Sequence, residues 1–375
     1  MYNKISPFLL SLVSVQNKSK QVDCIVYAKD YLRLSRLLGN KKIVQKYPFI
    51  KAFGVKLSYK NIFDLVGHEE VKYITQSVKV SAQIKVSKEI MNVPNTATNS
   101  PFSIAIIDTG VYPHIDIVGA RNPIIKWLDL VNNKTQIYDD NGHGTFVTGV
   151  ICGKGIASNG KYSGMDLSSN IISIKALDKN GETGAGTILS AMQWVYDNRK
   201  TYNIRIVCMS FGSNAIGEND PLIKGAEALW DNGIVVVCAG GNSGPDAETI
   251  KSPGASSKVI TVGSIDDNRV GEYYDISKFE VADFSSRGPA NNRYKPDIVA
   301  PGVEIVGLAN FKLDGAFYAK MSGTSVSTPM IVSMCSRVLK DHPSYSPDMV
   351  KRYILNKGIV LNGNRNSEGY GWFRW

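Results

Sequence analysis

Short runs of apolar residues alternate with longer helical segments between residues 103 and 355, and this alternation constrains the fold most strongly. The runs are rich in Ile and Val, as strands buried on both faces of a parallel sheet are. We therefore predict an α/β domain of three layers, with helices on both faces of a mostly parallel sheet. The predicted strands lie near 103–107, 171–176, 205–208, 234–238 and 259–263, and the predicted helices near 144–152, 186–198, 220–232, 325–340 and 346–355.

Two polar motifs lie between the first predicted strand and the first predicted helix. Ile106-Ile107-Asp108-Thr109-Gly110 brings Asp108 to the carboxyl edge of the sheet, where the sites of α/β proteins lie. In Asn141-Gly142-His143-Gly144-Thr145, His143 is the one histidine of four that stands between two glycines. Covalent catalysis by a serine needs an imidazole to take the hydroxyl proton and a carboxylate to orient that imidazole. Asp108 and His143 are candidates for these two roles.

The third motif, Ser322-Gly323-Thr324-Ser325, ends where the predicted helix 325–340 begins. Ser325 would therefore stand at the N-terminus of that helix, where N–H groups and the helix dipole favour a developing negative charge. Pro329 suits a first helical turn, because its missing N–H costs little there. Ser325 is the candidate nucleophile, so the candidate triad runs in the chain order Asp108, His143, Ser325.

These motifs resemble those of subtilisin-like serine peptidases, most closely the intracellular bacterial type, from about Ser103 to Trp372. The chain order Asp, His, Ser is that of subtilisin, and Gly323–Pro329 is similar to the family's Gly-Thr-Ser-Met-Ala-Thr-Pro. The resemblance implies a subtilisin-like fold and a serine endopeptidase that forms an acyl-enzyme. It also implies that Asn242, in Gly-Gly-Asn-Ser-Gly-Pro, donates to the oxyanion together with the Ser325 backbone N–H.

The resemblance further implies two edges that bind substrate. The segment 181–186 resembles one edge, and Met-Ser-Phe-Gly at 209–212 resembles the opposite one, so a peptide would bind between them as an added strand. The family tends to prefer large apolar side chains before the cut, and the uncharged Ser243 is compatible with that preference. The candidate substrate-binding residues are Gly184, Gly186, Ser210, Phe211 and Gly212.

Two residues depart from the family pattern close to the candidate triad. Phe146 stands where a second histidine is usual, and Cys208 stands where an asparagine is often found. The Phe146 change concerns local packing, since the histidine it replaces is not part of the triad. The loop 153–163 lacks a clear run of the six to eight oxygen ligands that a calcium site needs. We therefore predict neither a metal nor a cofactor, and calcium stays an open alternative that the sequence does not predict.

The first part of the chain differs in charge from the rest. Residues 1–95 hold 16 Lys and Arg against 6 Asp and Glu, which accounts for the net charge of +10, whereas residues 96–375 hold 27 of each. Predicted strands at 22–28, 49–58 and 71–75 and predicted helices at 30–38 and 61–67 resemble the α+β ferredoxin-like prodomain of subtilisins.

That resemblance implies two domains, a propeptide-like inhibitor at 1–85 and a catalytic domain at 86–375. The tail near 77–87 would lie in the active site and be cut by Ser325, which makes the chain's own propeptide its first partner. The alternative is a basic N-terminal domain that is never removed.

Charge, hydropathy and cysteine usage narrow the partners and the location. We see no contiguous basic run with interleaved aromatic residues, which argues against nucleic-acid binding. No run approaches the roughly 18 apolar residues of a membrane-spanning helix. An odd number of cysteines, five, fits a reducing compartment and favours a cytoplasmic location. The alternative is secretion through the marginal apolar segment 5–15, which no small-residue cleavage site follows.

The sequence therefore predicts a serine endopeptidase that acts on proteins or peptides. One alternative is a catalytically silent subtilisin-like protein that binds or regulates a partner. Another is an esterase of the α/β-hydrolase type. That class needs Gly-x-Ser-x-Gly and the chain order Ser, Asp, His, and neither is found around Ser325.

Overall fold

The predicted alternation of strands and helices is confirmed in the computed structural model, which describes residues 4–6, 9, 21–39, 43–76, 79–82, 91, 100–119, 121–217, 219–268 and 275–375. The strands are β1 (Gln21–Ala28), β2 (Ile43–Tyr47), β3 (Ala52–Ser58), β4 (Val71–Gln76), β5 (Lys79–Ala82), β6 (Ser103–Asp108), β7 (Ile124–Asp129), β8 (Asn170–Lys175), β9 (Glu182–Gly184), β10 (Ile204–Met209), β11 (Phe211–Asn214), β12 (Val235–Ala239), β13 (Lys251–Ser252), β14 (Ile260–Asp266), β15 (Glu280–Val281), β16 (Ile298–Pro301), β17 (Ile305–Leu308), β18 (Tyr318–Met321), β19 (Gly358–Ile359) and β20 (Trp372–Phe373). The helices are α1 (Tyr31–Leu38), α2 (Tyr59–Val66), α3 (Ile115–Val118), α4 (His143–Cys152), α5 (Ala185–Asn198), α6 (Pro221–Asp231), α7 (Phe311–Asp314), α8 (Thr324–Asp341), α9 (Pro347–Leu355) and α10 (Arg365–Glu368).

The central sheet is built around β6, whose six residues are all buried. It pairs in parallel with β10 on one side and with β8 on the other. The order of the whole sheet is β19-β20-β16-β14-β12-β10-β6-β8-β7, with β15 paired to β14. β15 and β19 run antiparallel to their neighbours, and the other pairings are parallel. The expected mostly parallel sheet is thus confirmed, and the carboxyl ends of its parallel strands share one edge.

Five strands of this sheet are absent from the predicted set: β7, β15, β16, β19 and β20. β7 lies at the sheet edge, and most of its residues are partly exposed. Such a strand tolerates a lysine, and Lys126 interrupts its apolar run. β16 has four residues and ends in a proline. Edge strands and very short strands carry too little apolar periodicity to be recognised from sequence alone.

The helix α8 carries the third motif into the centre of the molecule. Every residue from Thr324 to Ser336 is buried, and the helix contacts β10, β12, β14 and β16 as well as α4. The helices α5 and α6 pack against each other, and the three-layer arrangement is confirmed. Because α8 begins at Thr324, Pro329 lies in the second turn, and its expected place in the first turn is wrong. Proline has no N–H to bond back to the Ser325 carbonyl four residues earlier.

Residues 21–76 form a second sheet, antiparallel and four-stranded, in the order β2-β3-β1-β4. Together with α1 and α2 this gives the β-α-β-β-α-β succession of the expected ferredoxin-like prodomain. It has a core of its own, in which Leu34, Phe53 and Ile62 are fully buried. The predicted strand 49–58 is shorter than expected, since Pro48–Ile50 is a 3-10 turn. β2 is absent from the predicted strands, because its three middle residues are exposed and its sequence therefore shows no apolar alternation.

β5 belongs to neither of these sheets. It lies between β9 and β11, antiparallel to both, in a small sheet of order β13-β11-β5-β9. Of the predicted tail 77–87, only these four residues are described, and the predicted domain boundary at residue 85 lies outside the described residues. A segment of the chain itself therefore occupies the gap between the two edges expected to bind substrate.

Candidate active site

Asp108 and His143 meet at the carboxyl edge of the central sheet. Asp108 is the last residue of β6, His143 is the first of α4, and both are 1% exposed. His143 Nδ1 lies 2.6 Å from Asp108 Oδ1, which also accepts from the Thr109 N–H at 2.7 Å. A carboxylate only accepts hydrogen bonds, so this contact places a proton on Nδ1 of His143. It leaves Nε2 as the nitrogen that can act as a base.

Glycine is required where the two motifs touch. A Cβ on Gly144 would lie 2.1 Å from the carbonyl oxygen of Gly110, and a Cβ on Gly110 would lie 2.3 Å from that of Tyr138. Gly110 also has φ +118°, which L side chains rarely adopt. The Gly144 N–H donates to Thr109 Oγ1 at 2.8 Å. These close approaches bring β6 and α4 near enough for Asp108 to reach His143.

Asp139 holds the turn that presents His143, and the sequence analysis did not identify it. Its Oδ1 accepts from the N–H groups of Asn141 and Gly142 at 3.0 and 2.9 Å. Its Oδ2 accepts from the N–H and the hydroxyl of Thr145 at 2.9 and 2.7 Å. The signal in the sequence is an acidic residue four positions before the histidine, where a carboxylate can cap the first turn of a helix.

Lys175 lies beside Asp108 in the sheet and is likewise absent from the predicted site. It is opposite Asp108 in the register of β6 and β8 and is fully buried. Its Nζ donates to the Thr109 carbonyl at 2.6 Å, the Leu177 carbonyl at 3.0 Å and Asp140 Oδ1 at 2.5 Å. A lysine is rarely buried without such partners, so a lysine inside an apolar strand was the available signal.

Ser325 is the second residue of α8, at the same edge of the sheet. The residue is 2% exposed, and its Oγ has no hydrogen-bond partner in the described part of the chain. The preceding Gly323 is tied to the core by its N–H, which donates to the Gly302 carbonyl at 2.9 Å. The hydroxyl therefore stands in the first turn of a buried helix, where backbone N–H groups point outward.

Asn242 is held next to Ser325 by Thr324. Asn242 Oδ1 accepts from the Thr324 N–H at 2.9 Å and from its hydroxyl at 3.1 Å. Thr324 Oγ1 in turn accepts from the Gly241 N–H at 3.0 Å. Because the oxygen of the Asn242 amide is bound to Thr324, its Nδ2 is the end that can donate toward a reacting carbonyl.

A cavity of about 130 Å³ opens beside Ser325 and Asn242. It lies between the beginning of β11 and the segment that follows β12. Its lining residues are Ser210, Phe211, Gly212, Ala239, Gly241, Asn242, Ser243, Lys251, Thr324 and Ser325.

Four of the five predicted substrate-binding residues lie beside β5 or in the lining of the cavity, and the fifth, Gly186, lies elsewhere. Phe211 and Gly212 pair with Ala82 and Ser81 of β5, and Gly184 pairs with Lys79 on the other side. Ser210 immediately precedes β11 and lines the cavity. Gly186 instead lies in the first turn of α5, where its carbonyl accepts from the Tyr47 hydroxyl at 2.8 Å.

The two departures from the family pattern are accommodated in the core. Phe146 is fully buried, and a Cβ on Gly307 of β17 would lie 2.5 Å from its ring, so glycine makes room for the phenyl group. Cys208 Sγ lies 3.4 Å from Ser210 Oγ. Burial raises the pKa of the Cys208 thiol to about 12, which keeps it protonated at neutral pH.

The described residues contain neither a candidate metal site nor a candidate membrane-spanning helix. Within those residues, no three His, Cys, Asp or Glu side chains are grouped so that they could hold a metal ion. None of the helices in the described ranges combines the length and the apolar character needed to cross a membrane.

Known proteins resemble this chain over most of its length. A sequence model of the subtilase family matches residues 99–372. The serine protease AprX of Bacillus subtilis (strain 168) is 39% identical over 306 residues, covering 76% of this chain and 68% of AprX. Among solved structures, sphericase has a TM-score of 0.64 at 24% identity, covering 78% of this chain and 99% of its own.

Fervidolysin from Fervidobacterium pennivorans, described as a keratinolytic enzyme related to subtilisin, has a TM-score of 0.74 at 20% identity. That similarity covers 96% of this chain and 61% of fervidolysin, and at this identity it concerns the fold. The subtilase match excludes the α/β-hydrolase esterase, and a relative that is a serine protease favours an active enzyme over a silent one. The chain therefore belongs to the subtilase family and is a serine protease of the subtilisin type.

Proposed function

We propose that this chain is an endopeptidase whose catalytic triad is Asp108, His143 and Ser325. The observation that carries the proposal is the buried 2.6 Å contact between His143 Nδ1 and Asp108 Oδ1, at the edge where α8 presents Ser325. Ser325 Oγ attacks the peptide carbonyl carbon while its proton passes to Nε2 of His143. Asp108 stabilises the imidazolium that results and keeps the ring oriented.

In the tetrahedral intermediate the former carbonyl oxygen carries the negative charge. Asn242 Nδ2 and the Ser325 backbone N–H donate to this oxygen. His143 then passes its proton to the leaving nitrogen, the C–N bond breaks, and Ser325 keeps the acyl group as an ester. Water attacks the ester while His143 takes its proton, and the same proton returns to Ser325 as the acid product leaves.

We expect Asn242→Ala to lower kcat by about 10²- to 10³-fold while KM changes little, as found for the equivalent oxyanion donor in subtilisin. The effect falls on kcat because the oxyanion exists only in the transition state and the intermediate. Steady-state kinetics on a peptide substrate measure it. The matched control is Asn232→Ala, at the exposed end of α6. A rise in KM with unchanged kcat would assign Asn242 to ground-state binding instead.

We also propose that the enzyme cuts its own chain just after β5. The supporting observation is that β5 lies between β9 and β11 in the manner of a bound peptide. Ser81 is opposite Gly212 and Ala82 is opposite Phe211, so the strand advances toward Ser210, which lines the cavity beside Ser325. A strand in this position also keeps other substrates out, which is the action of an inhibitory propeptide.

Contacts of the N-terminal domain with α5 support the propeptide role. The Tyr47 hydroxyl donates to the Gly186 carbonyl at 2.8 Å, and the Phe49 N–H donates to Gln193 Oε1 at 3.3 Å. The Phe49 ring lies 5.8 Å from the ring of Tyr196. These three contacts join uncharged groups.

Purified wild type is expected to lose about a fifth of its 41.0 kDa mass, with a new N-terminus within residues 83–87. Ser325→Ala is expected to remain full length, because the cut needs the nucleophile. Intact mass spectrometry and N-terminal sequencing measure both. If wild type remains uncut while it hydrolyses added peptides, the N-terminal domain is permanent and the self-processing proposal fails.

We propose a cytoplasmic location. All five cysteines are free and buried, which suits a compartment that keeps thiols reduced. Burial raises the pKa of Cys152 to about 12, so this thiol is protonated and of low reactivity at neutral pH.

A further inference from the structure

Lys251 is one of the residues that line the cavity beside Ser325. Lys251 begins β13, which pairs with β11 so that Lys251 lies opposite Asn214. A Cβ on Gly212 would lie 2.6 Å from Lys251 Cβ, and a Cβ on Gly241 would lie 2.4 Å from Lys251 Cγ. Gly212 and Gly241 both line the cavity, and the aliphatic stem of Lys251 packs against both of them. A side chain at either glycine would collide with this stem.

The ammonium group of Lys251 has a neutral partner in this position. Its Nζ donates to Asn214 Oδ1 at 2.7 Å. Among the described residues, no carboxylate oxygen forms an ion pair with it within 4.0 Å. The ammonium group carries three donors, so it can bind further acceptors. The side chain is half-buried, and this burial lowers the pKa of Lys251 below its usual value.

The half-buried Lys251 side chain has no carboxylate partner among the described residues, and such a cation favours an anionic ligand. Removing a charge from water costs free energy, and an opposite charge with a direct hydrogen bond offsets that cost. The open volume next to Lys251 is the cavity into which the residue before the scissile bond would project, given the course of β5 toward Ser210. A carboxylate side chain of that residue would meet the ammonium group there.

We propose that Lys251 makes this protease select an acidic side chain, glutamate in particular, before the scissile bond. The inference rests on the proposed peptidase function and names the substrate class of the same site. It replaces the preference for large apolar side chains that the family resemblance implied, with which the uncharged Ser243 is compatible. The first residue after β5 in the sequence is Gln83, and glutamine has the length of glutamate and an amide oxygen that accepts hydrogen bonds.

The test compares peptides that differ only in the residue before the cut, Glu, Gln, Leu or Lys. Wild type is expected to cleave the Glu peptide with the highest kcat/KM. Lys251→Met keeps the stem between the glycines and removes the charge, so its Glu-to-Leu ratio of kcat/KM should fall about tenfold to a hundredfold, the size of a hydrogen bond to a charged group. The matched control is Lys258→Met, a surface lysine paired with Asp231, which should leave the ratio as in wild type.

Lys251→Glu provides a second test that misfolding cannot imitate. With the charge reversed, the Lys peptide should become the best substrate, and a misfolded enzyme gains no new preference. A wild-type enzyme that prefers Leu over Glu, or a ratio that Lys251→Met leaves unchanged, would overturn the inference. These results are distinct from failure of the proposed function, in which no peptide would be hydrolysed in a Ser325-dependent manner.

Discussion

Ser325→Ala is expected to lower kcat by about 10⁶-fold, the loss that removal of the equivalent serine causes in subtilisin. The reason is that Ser325 Oγ forms the ester bond to the acyl group in the proposed mechanism, and alanine has no atom that can replace it. Cys208 is nearby along β10, but burial keeps its thiol protonated. The measurement is hydrolysis of a peptide with a chromogenic leaving group by the processed wild type and by Ser325→Ala freed of its N-terminal domain by an added protease.

The fold should tolerate this substitution. Ser325 Oγ has no hydrogen-bond partner among the described residues, so its removal leaves no buried donor or acceptor unpaired. The thermal midpoint of Ser325→Ala should therefore match that of wild type. A fluorophosphonate probe should label wild type and not the variant. A variant that keeps more than about a hundredth of the wild-type kcat would refute Ser325 as the nucleophile.

Asp108→Asn is expected to lower kcat by about 10⁴-fold at neutral pH, the size of effect known for such a change in a serine protease triad. Asp108 Oδ1 accepts from His143 Nδ1 at 2.6 Å, and this hydrogen bond sets the tautomer in which Nε2 is the base. An asparagine can present its NH₂ group to Nδ1, which moves the imidazole proton to Nε2. That tautomer cannot take the proton of Ser325.

Steady-state kinetics on the same peptide measure this loss. The matched control is Asp231→Asn at the exposed end of α6, which changes a surface carboxylate that pairs with Lys258. It should leave kcat unchanged. If Asp108→Asn lowers kcat by less than about tenfold, the 2.6 Å contact between Asp108 and His143 is structural and another group orients His143.

Most of the central fold could be predicted because its strands are local apolar runs. β6, β8, β10, β12 and β14 lie within a few residues of their predicted places, and so do α4, α5, α6, α8 and α9. These buried parallel strands are rich in Ile and Val, and the helices between them are longer than the strands, so each element can be recognised from its own residues. β2 and β7 are edge strands with exposed residues, and for them the local pattern was insufficient.

The sequence by itself also determined the candidate triad, because each motif is a contiguous stretch with glycine where backbones must approach. It identified Asp108, His143 and Ser325 and the expected domain types without any distance. Asp139 and Lys175 were not found, since their partners, such as Thr145 and Thr109, are set by packing between elements.

Only the tertiary structure decided how these parts meet. It joined Asp108 to His143 across 35 residues, placed β5 between β9 and β11, and moved Gly186 away from the substrate edge into a contact with Tyr47. It also placed Lys251 in the lining of the cavity beside Ser325, where the family resemblance suggested an apolar preference. The physical reason is that a local pattern reports whether a residue is buried, whereas its neighbours across the chain depend on how the sheet and helices pack.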